Sequence, residues 1–91
     1  MKNNNSLNIL PGRFELEIDG KICYADYRID GNIINIDYVF APEELRGTGA
    51  AGKLMEEISE YAKKNNQKLF PICGYAKVWL KKHSKYDDLI A

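Results

Sequence analysis

The 91-residue chain is poor in cysteine and histidine and has no long hydrophobic run. Its two cysteines, Cys23 and Cys73, are too few for a disulfide framework, and they have no metal-ligand spacing. With a single histidine, His83, a zinc site is not expected. No stretch approaches the roughly 18 apolar residues of a membrane-spanning helix, and MKNNNSLNIL lacks the apolar segment of a signal peptide. We therefore expect no metal, no membrane association, a cytoplasmic location and reduced thiols.

The chain also has no net charge, since 13 basic residues balance 13 acidic ones. Such a chain creates no global field that would attract a polyanion, so nucleic acid is not an expected partner. Lysines do cluster in the C-terminal half, where they either form a solvated surface or face a ligand that carries phosphates. These are Lys63, Lys64, Lys68, Lys77, Lys81, Lys82 and Lys85.

The length suits one small domain, residues 1–91, and the asparagine-rich residues 1–8 are expected to be disordered. Residues 13–18, RFELEI, alternate between apolar and charged side chains, as in a half-buried strand. The Asp19-Gly20 turn, a strand over 21–29, a turn over 30–32 and a β-branched strand over 33–40 follow. The first half is therefore predicted to be an antiparallel meander.

Helical periodicity begins at Ala50 and predicts an amphipathic helix of about four turns that ends at Asn65-Asn66. Its apolar face consists of Ala51, Leu54, Met55, Ile58, Tyr61 and Ala62. A further strand is predicted over 68–73, followed by a shorter helix from Gly74 with Tyr75, Val78 and Trp79 on one face. This order indicates an α+β domain with one sheet and helices packed on it.

The segment LRGTGAAGK, residues 45–53, contains the pattern G-x-G-x-x-G. A dinucleotide site needs a strand that runs into the first glycine and a βαβ unit, and neither precedes this segment. A nucleotide P-loop is excluded because no Gly-Lys-Ser/Thr follows. The remaining interpretation is an anion site. A glycine-rich turn at the start of a helix presents free amides and the positive end of the helix dipole to an anion. The alternative is a loop whose glycines only permit the turn.

Arg46 to Ala51, R-G-T-G-A-A, resembles the Q/R-x-x-G-x-G/A signature of the GNAT acetyltransferases, and it stands between a strand and a long helix as it does there. The resemblance implies a truncated GNAT fold that binds acetyl-CoA. Its pyrophosphate would be held by Arg46, Gly47, Thr48, Gly49, Ala50 and Ala51. The preceding strand would separate from its neighbour and bind the pantetheine arm through Tyr38, Val39 and Phe40.

The stretches 39–51 and 71–90 are similar to a very short single-domain GNAT-like family that carries a P-x-C-x-[YF] segment and ends in H-P-x-Y. The likeness covers residues 13–90, and Ser84 stands in place of the usual proline. It implies that Cys73 is catalytic, whereas a small buried thiol is the alternative. Tyr75 would contact the cofactor, either as general acid or by packing on the acyl group. Asp37 is either a general base or a solvent-facing carboxylate.

The resemblance thus implies an acetyl-CoA-dependent N-acetyltransferase that needs no metal and acts on a small-molecule or lysine-type amine. Two alternatives stay open at this point. One is a CoA-binding module without catalysis, because the short chain lacks the N-terminal region with which larger GNAT enzymes build an acceptor pocket. The other is an interaction domain without a ligand. A monomer or a weak homodimer is expected, since an open sheet edge could support pairing.

Overall fold

The computed structural model describes residues 6–91, which form five strands, two α-helices and two short 3₁₀ segments. The strands are β1 (Asn8–Leu10), β2 (Arg13–Ile18), β3 (Lys21–Asp30), β4 (Ile33–Phe40) and β5 (Lys68–Pro71). The helices are α1 (Ala50–Lys64) and α2 (Gly74–Lys82), and the 3₁₀ segments are Glu43–Leu45 and Ser84–Leu89.

A single sheet with the strand order β1-β2-β3-β4-β5 forms the frame of the domain. The first four strands are antiparallel hairpin neighbours, whereas β4 and β5 are parallel because α1 connects them. The predicted α+β class, the meander, the long helix, the further strand and the shorter C-terminal helix are confirmed.

The strands differ from the prediction in three respects: β3 extends one residue further, to Asp30, β1 was not predicted, and β5 is shorter. The expected disorder over 1–8 lies largely outside the described residues, but at Asn8 the chain already pairs with Glu15 as part of β1. Strand β5 ends at Pro71 instead of Cys73, because the amides of Ile72 and Cys73 both donate to the carbonyl of Ile36, at 2.9 and 3.0 Å. These two bonds stop the ladder and turn the chain into α2.

One face of the sheet carries the core, and both helices and the last 3₁₀ segment pack against it. Its fully buried sheet residues are Phe14, Leu16, Cys23, Ala25, Ile34, Ile36 and Leu69. Helix α1 buries Leu54, Met55 and Ile58 as its periodicity predicts. Helix α2 buries Ala76, Trp79 and Leu80. The predicted face was therefore wrong in part, because Trp79 is buried as expected but Tyr75 and Val78 are exposed.

A bulge divides β4. Tyr27 pairs with Ile36, and the preceding residue of β3, Asp26, pairs with Tyr38, so Asp37 is an extra residue that has no partner in the register between β3 and β4. A bulge bends its strand and increases the local twist. Since β5 also ends beside Ile36, β4 continues through 38–40 with β3 as its only strand neighbour among residues 6–91. This separation of β4 from β5 opens the sheet where the candidate site lies.

Candidate functional site

The glycine loop has a backbone that only glycine adopts easily. Gly47 (φ 84°) and Gly49 (φ 88°) both occupy the left-handed region, and Gly49 caps the N-terminus of α1. The loop is anchored by Leu45, which is buried and whose carbonyl accepts from the amide of Thr48 at 3.1 Å. The loop therefore has a defined path into the first turn of α1.

Several amides of this loop are free to bind an anion. Within residues 6–91, no acceptor is present for the N–H groups of Gly47, Gly49, Ala50 and Ala51. The last two belong to the first turn of α1, where the helix dipole adds positive potential. The hydroxyl of Thr48, predicted to face the anion, instead donates to the carbonyl of Leu45 at 2.5 Å. The side chain of Thr48 thus stabilises the loop in this structure, and the anion donors that residues 47–51 offer are main-chain groups.

Arg46 places a guanidinium at the entrance of the loop. Its Nε donates to the carbonyl of Ala41 at 2.9 Å, and its Cζ lies 5.8 Å from the ring centre of Phe40. The bond through Nε fixes the side chain beside the loop. Its two terminal nitrogens have no acceptor within the described part of the chain, so they can donate to a bound anion.

These elements enclose a cavity of about 520 Å³, within the range typical of ligand pockets. Its lining residues are Tyr38, Val39, Phe40, Ala41, Leu45, Arg46, Gly47, Gly49, Ala50, Ala51 and Tyr75. The structure therefore brings together every predicted cofactor-binding residue except Thr48. Ala41 and Leu45 were missed by the sequence analysis, since they carry no motif letter and enter the lining only because the chain turns at Pro42.

Tyr75 closes the cavity from the side of α2. It is the second residue of that helix and lies opposite the first turn of α1. Burial raises the pKa of its hydroxyl above the usual value of 10. The phenol is therefore protonated at neutral pH and available as a hydrogen-bond donor.

Cys73 caps the N-terminus of α2 and is half-buried against the core. Its amide donates to Ile36 and its carbonyl accepts from the amide of Lys77 at 3.0 Å, so its backbone joins β4 to α2. Its side chain is not part of the cavity lining. A catalytic role for Cys73 stays a prediction, which the family resemblance of residues 71–90 implies.

The side chains of Asp37 and His83 both form hydrogen bonds with neighbouring residues. The Asp37 carboxylate accepts two hydrogen bonds from Arg28, at 2.8 and 2.9 Å, and these bonds hold its pKa below the usual value of 3.8. A carboxylate held in this way is a poor general base. The Nδ1 of His83 is 2.7 Å from the carbonyl of Trp79, and the two rings stack at 3.8 Å, so His83 closes the end of α2.

Two features relevant to other functions are absent from the described residues. Over 6–91, no three histidine, cysteine or carboxylate side chains are grouped as metal ligands. Neither helix in that range is long and apolar enough to cross a bilayer.

Comparison with known proteins agrees with the geometry. A sequence profile described as GCN5-related N-acetyl-transferase matches residues 13–89. The solution NMR structure of a GCN5-like putative N-acetyltransferase from Staphylococcus aureus superimposes with a TM-score of 0.77 at 31% identity. That match covers 99% of this chain and 91% of the other. No curated protein sequence matches this chain significantly.

Proposed function

Because the chain belongs to the GCN5-related N-acetyltransferase family, whose general activity is acetyl transfer from acetyl-CoA, we propose that its cavity binds acetyl-CoA and that it transfers the acetyl group to an amine. The observation that carries the proposal is the group of free amides at the start of α1, next to Arg46 and the split between β4 and β5.

The amide group suits the pyrophosphate of the ligand. The N–H groups of Gly49, Ala50 and Ala51 are free to point at one anion, and the dipole of α1 favours negative charge there. The terminal nitrogens of Arg46 would add charge-assisted hydrogen bonds, which are roughly twice as strong as neutral ones. An anion with several oxygens can satisfy all these donors at once.

The second half of β4 suits the pantetheine arm. Beyond Ile36 this strand has β3 on one side only, so its other edge carries main-chain donors and acceptors without a strand partner among residues 6–91. The arm contains two amide groups, which can bond to that edge as a neighbouring strand would. Tyr38, Val39 and Phe40 would supply both the edge and an apolar wall.

In the proposed reaction, the nitrogen lone pair of the acceptor amine attacks the thioester carbonyl. The new C–N bond forms as the C–S bond breaks, the sulfur leaves with its electron pair and takes up one proton, and the amine gives up one proton. Tyr75 would donate the proton, or a hydrogen bond, to the sulfur, because its phenol has a pKa above the usual value of 10 and is protonated at neutral pH. The cavity lining contains no carboxylate and no imidazole, so the proton of the amine would pass to water.

The acceptor is proposed to be a small-molecule or lysine-type amine. The cytoplasmic location and the monomeric or weakly dimeric state also stay predictions. Among the residues that line the cavity, none carries a carboxylate or an imidazole that could act as general base, and this favours a second candidate, a CoA-binding module without catalysis. An acyl-enzyme route through Cys73 is a third possibility for the same ligand.

Calorimetric titration with acetyl-CoA and with CoA tests the binding half of the proposal. We expect roughly micromolar affinity, which corresponds to about −8 kcal/mol. Arg46→Ala should weaken binding by at least about tenfold, since it removes charge-assisted hydrogen bonds. Lys21→Ala removes a positive charge at the turn between β2 and β3, outside the cavity lining, and should bind like the wild type. Absence of binding at millimolar acetyl-CoA would contradict the proposal.

Thiol release from acetyl-CoA, measured with a small primary amine and with a lysine peptide, tests the catalytic half. Cys73→Ala should retain turnover if the amine attacks directly. Loss of turnover with unchanged acetyl-CoA affinity would instead make Cys73 the acyl carrier, and mass spectrometry of the wild type should then show an acetylated protein. Binding without thiol release from any variant would support the module without catalysis.

A further inference from the structure

Gly52, the third glycine of the loop pattern, lies outside the R-x-x-G-x-A signature and is not part of the cavity lining. It is a helical residue within α1, and its φ is not in the left-handed region. A backbone conformation reserved for glycine therefore does not explain this residue. The packing around Gly52 explains it instead.

A methyl group on Gly52 would meet α2 directly. An added Cβ would lie 3.1 Å from Nε1 of Trp79, 3.7 Å from Cδ1 of the same ring and 3.6 Å from the hydroxyl oxygen of Tyr75. The first distance is shorter than a comfortable contact between a carbon and a nitrogen, so either Trp79 or the helix must move. Glycine allows the two helices to approach at this point.

Two aromatic neighbours hold Trp79 in place. Its ring is 8% exposed, stacks on His83 at 3.8 Å and lies 5.8 Å from the ring of Tyr86. Tyr86 is itself held on α1 by a hydrogen bond from its hydroxyl to Glu60 at 2.6 Å. These contacts restrain the indole, and a cavity of about 240 Å³ borders Gly52, Trp79 and Tyr86. A methyl group at position 52 would therefore either displace the indole toward this cavity or push α2 away from α1.

We propose that Gly52 is a positioning residue, which sets the spacing between the first turn of α1 and α2 and so holds the Tyr75 hydroxyl beside the free amides of the cavity. The inference rests on the proposed function where it concerns the ligand. The spacing itself can be measured without any ligand, because Trp79 is the only tryptophan of the chain and its fluorescence reports the contact.

The test compares Gly52→Ala with Gly74→Ala. Gly74 is also a helical glycine, at the start of α2, but a Cβ there would meet no atom of the described residues within 4 Å. Gly52→Ala should shift the Trp79 emission and lower the thermal midpoint by about 4–8 °C, as overpacking of a small domain does. Gly74→Ala should leave the emission unchanged and keep or raise the midpoint.

Titration with acetyl-CoA separates a positioning role from a packing role. Gly52→Ala should weaken binding by about tenfold, the equivalent of one hydrogen bond of roughly 1.4 kcal/mol. Tyr75→Phe should lose about as much, and the double variant should lose no more than either single one, because both changes remove the same hydroxyl contact. A shifted emission with unchanged affinity, or additive losses in the double variant, would overturn the proposal.

Two further outcomes remain decisive. If Gly52→Ala does not fold, Gly52→Ala combined with Trp79→Phe should fold as Trp79→Phe alone does, since phenylalanine lacks the nitrogen that the methyl group meets. Failure of the double variant, when Trp79→Phe alone folds, would contradict the contact. If the wild type binds no acetyl-CoA, the proposed function fails, and the emission of the ligand-free variants still tests the spacing. An unshifted emission in Gly52→Ala would overturn the inference in either case.

Discussion

The two halves of β4 have the same kind of sequence and different neighbours. The first half, residues 33–36, lies between β3 and β5, and its core-facing Ile34 and Ile36 are fully buried. The second half, residues 38–40, has β3 on one side and the cavity on the other, and Tyr38 is 49% exposed. One strand therefore contributes to the core at its start and to the candidate site at its end.

The difference between the halves comes from one extra residue and one early strand end. The bulge at Asp37 bends β4, and the bonds of Ile72 and Cys73 to the carbonyl of Ile36 stop β5 at the same level. A site that binds through main-chain groups needs such an interruption, because a fully paired strand has no free donors or acceptors. Here the interruption falls next to the start of a helix, which adds further free amides.

The largest expected effect contrasts Ile36→Ala with Tyr38→Ala in urea unfolding. Ile36 is fully buried, so its truncation should lower the free energy of unfolding by about 2–5 kcal/mol. Tyr38→Ala should lower it by less than about 1 kcal/mol, because half of this side chain is already exposed. Acetyl-CoA affinity should fall in Tyr38→Ala.

Ile36→Val, with an expected loss of about 0.5–1.5 kcal/mol, provides a folded variant if Ile36→Ala unfolds. It should bind acetyl-CoA as the wild type does, because Ile36 is not part of the cavity lining. Equal stability losses at Ile36 and Tyr38 would contradict the comparison, because they would show that both halves of β4 contribute equally to the core.

A smaller effect is expected when Gly49→Ala is compared with Gly31→Ala. Both glycines have positive φ, 88° and 63°, and a Cβ at either would meet no protein atom within 4 Å. Each variant should therefore lose about 1–2 kcal/mol of unfolding free energy through backbone strain alone. Only Gly49→Ala should also weaken acetyl-CoA binding in calorimetry, because Gly49 lines the cavity whereas Gly31 lies in the hairpin between β3 and β4. Equal binding by the two variants would remove the loop from the site.

Sequence reasoning located most of this fold because alternation and helical periodicity are strong where one face is buried. The bounds of β2 and α1, for example, agree with the predicted ranges. The bulge could not be predicted, since Ile36, Tyr38 and Val39 are all apolar or aromatic and leave no mark of a shifted alternation. Strand β1 was missed for a similar reason, because its three residues are all exposed and show no alternation.

The candidate site was predicted through its glycines, because positive φ is a backbone requirement that a sequence shows directly. Tertiary contacts were not visible in this way. The buried face of α2 includes the small Ala76, whose hydrophobic signal is weak, and the prediction placed Val78 there instead. The contact of Gly52 with Trp79 joins two helices, and no spacing along the chain indicates it.

The smallest effect concerns the bulge residue itself. Two hydrogen bonds from Arg28 hold the pKa of Asp37 below its usual value of 3.8, so the folded state binds a proton there less readily than the unfolded chain does. The stabilisation is therefore fully present above the unfolded pKa and is lost as the pH falls through the folded one. Thermal midpoints measured from neutral pH to about pH 3 should show the wild type losing more stability than Asp37→Asn.

Arg28→Gln should reduce the acid dependence as Asp37→Asn does, and the double variant should add little, since one pair is responsible. Some acid dependence should persist in all three variants, because the pKa of Glu60 is also held below its usual value. The main cause is the hydrogen bond from Tyr86, and the positive charges of Lys63 and Lys85 add to it. A wild-type profile that parallels Asp37→Asn through this range would mean that the ion pair at the bulge contributes nothing. The bend of β4 would then depend on the extra residue alone and not on the charge it carries.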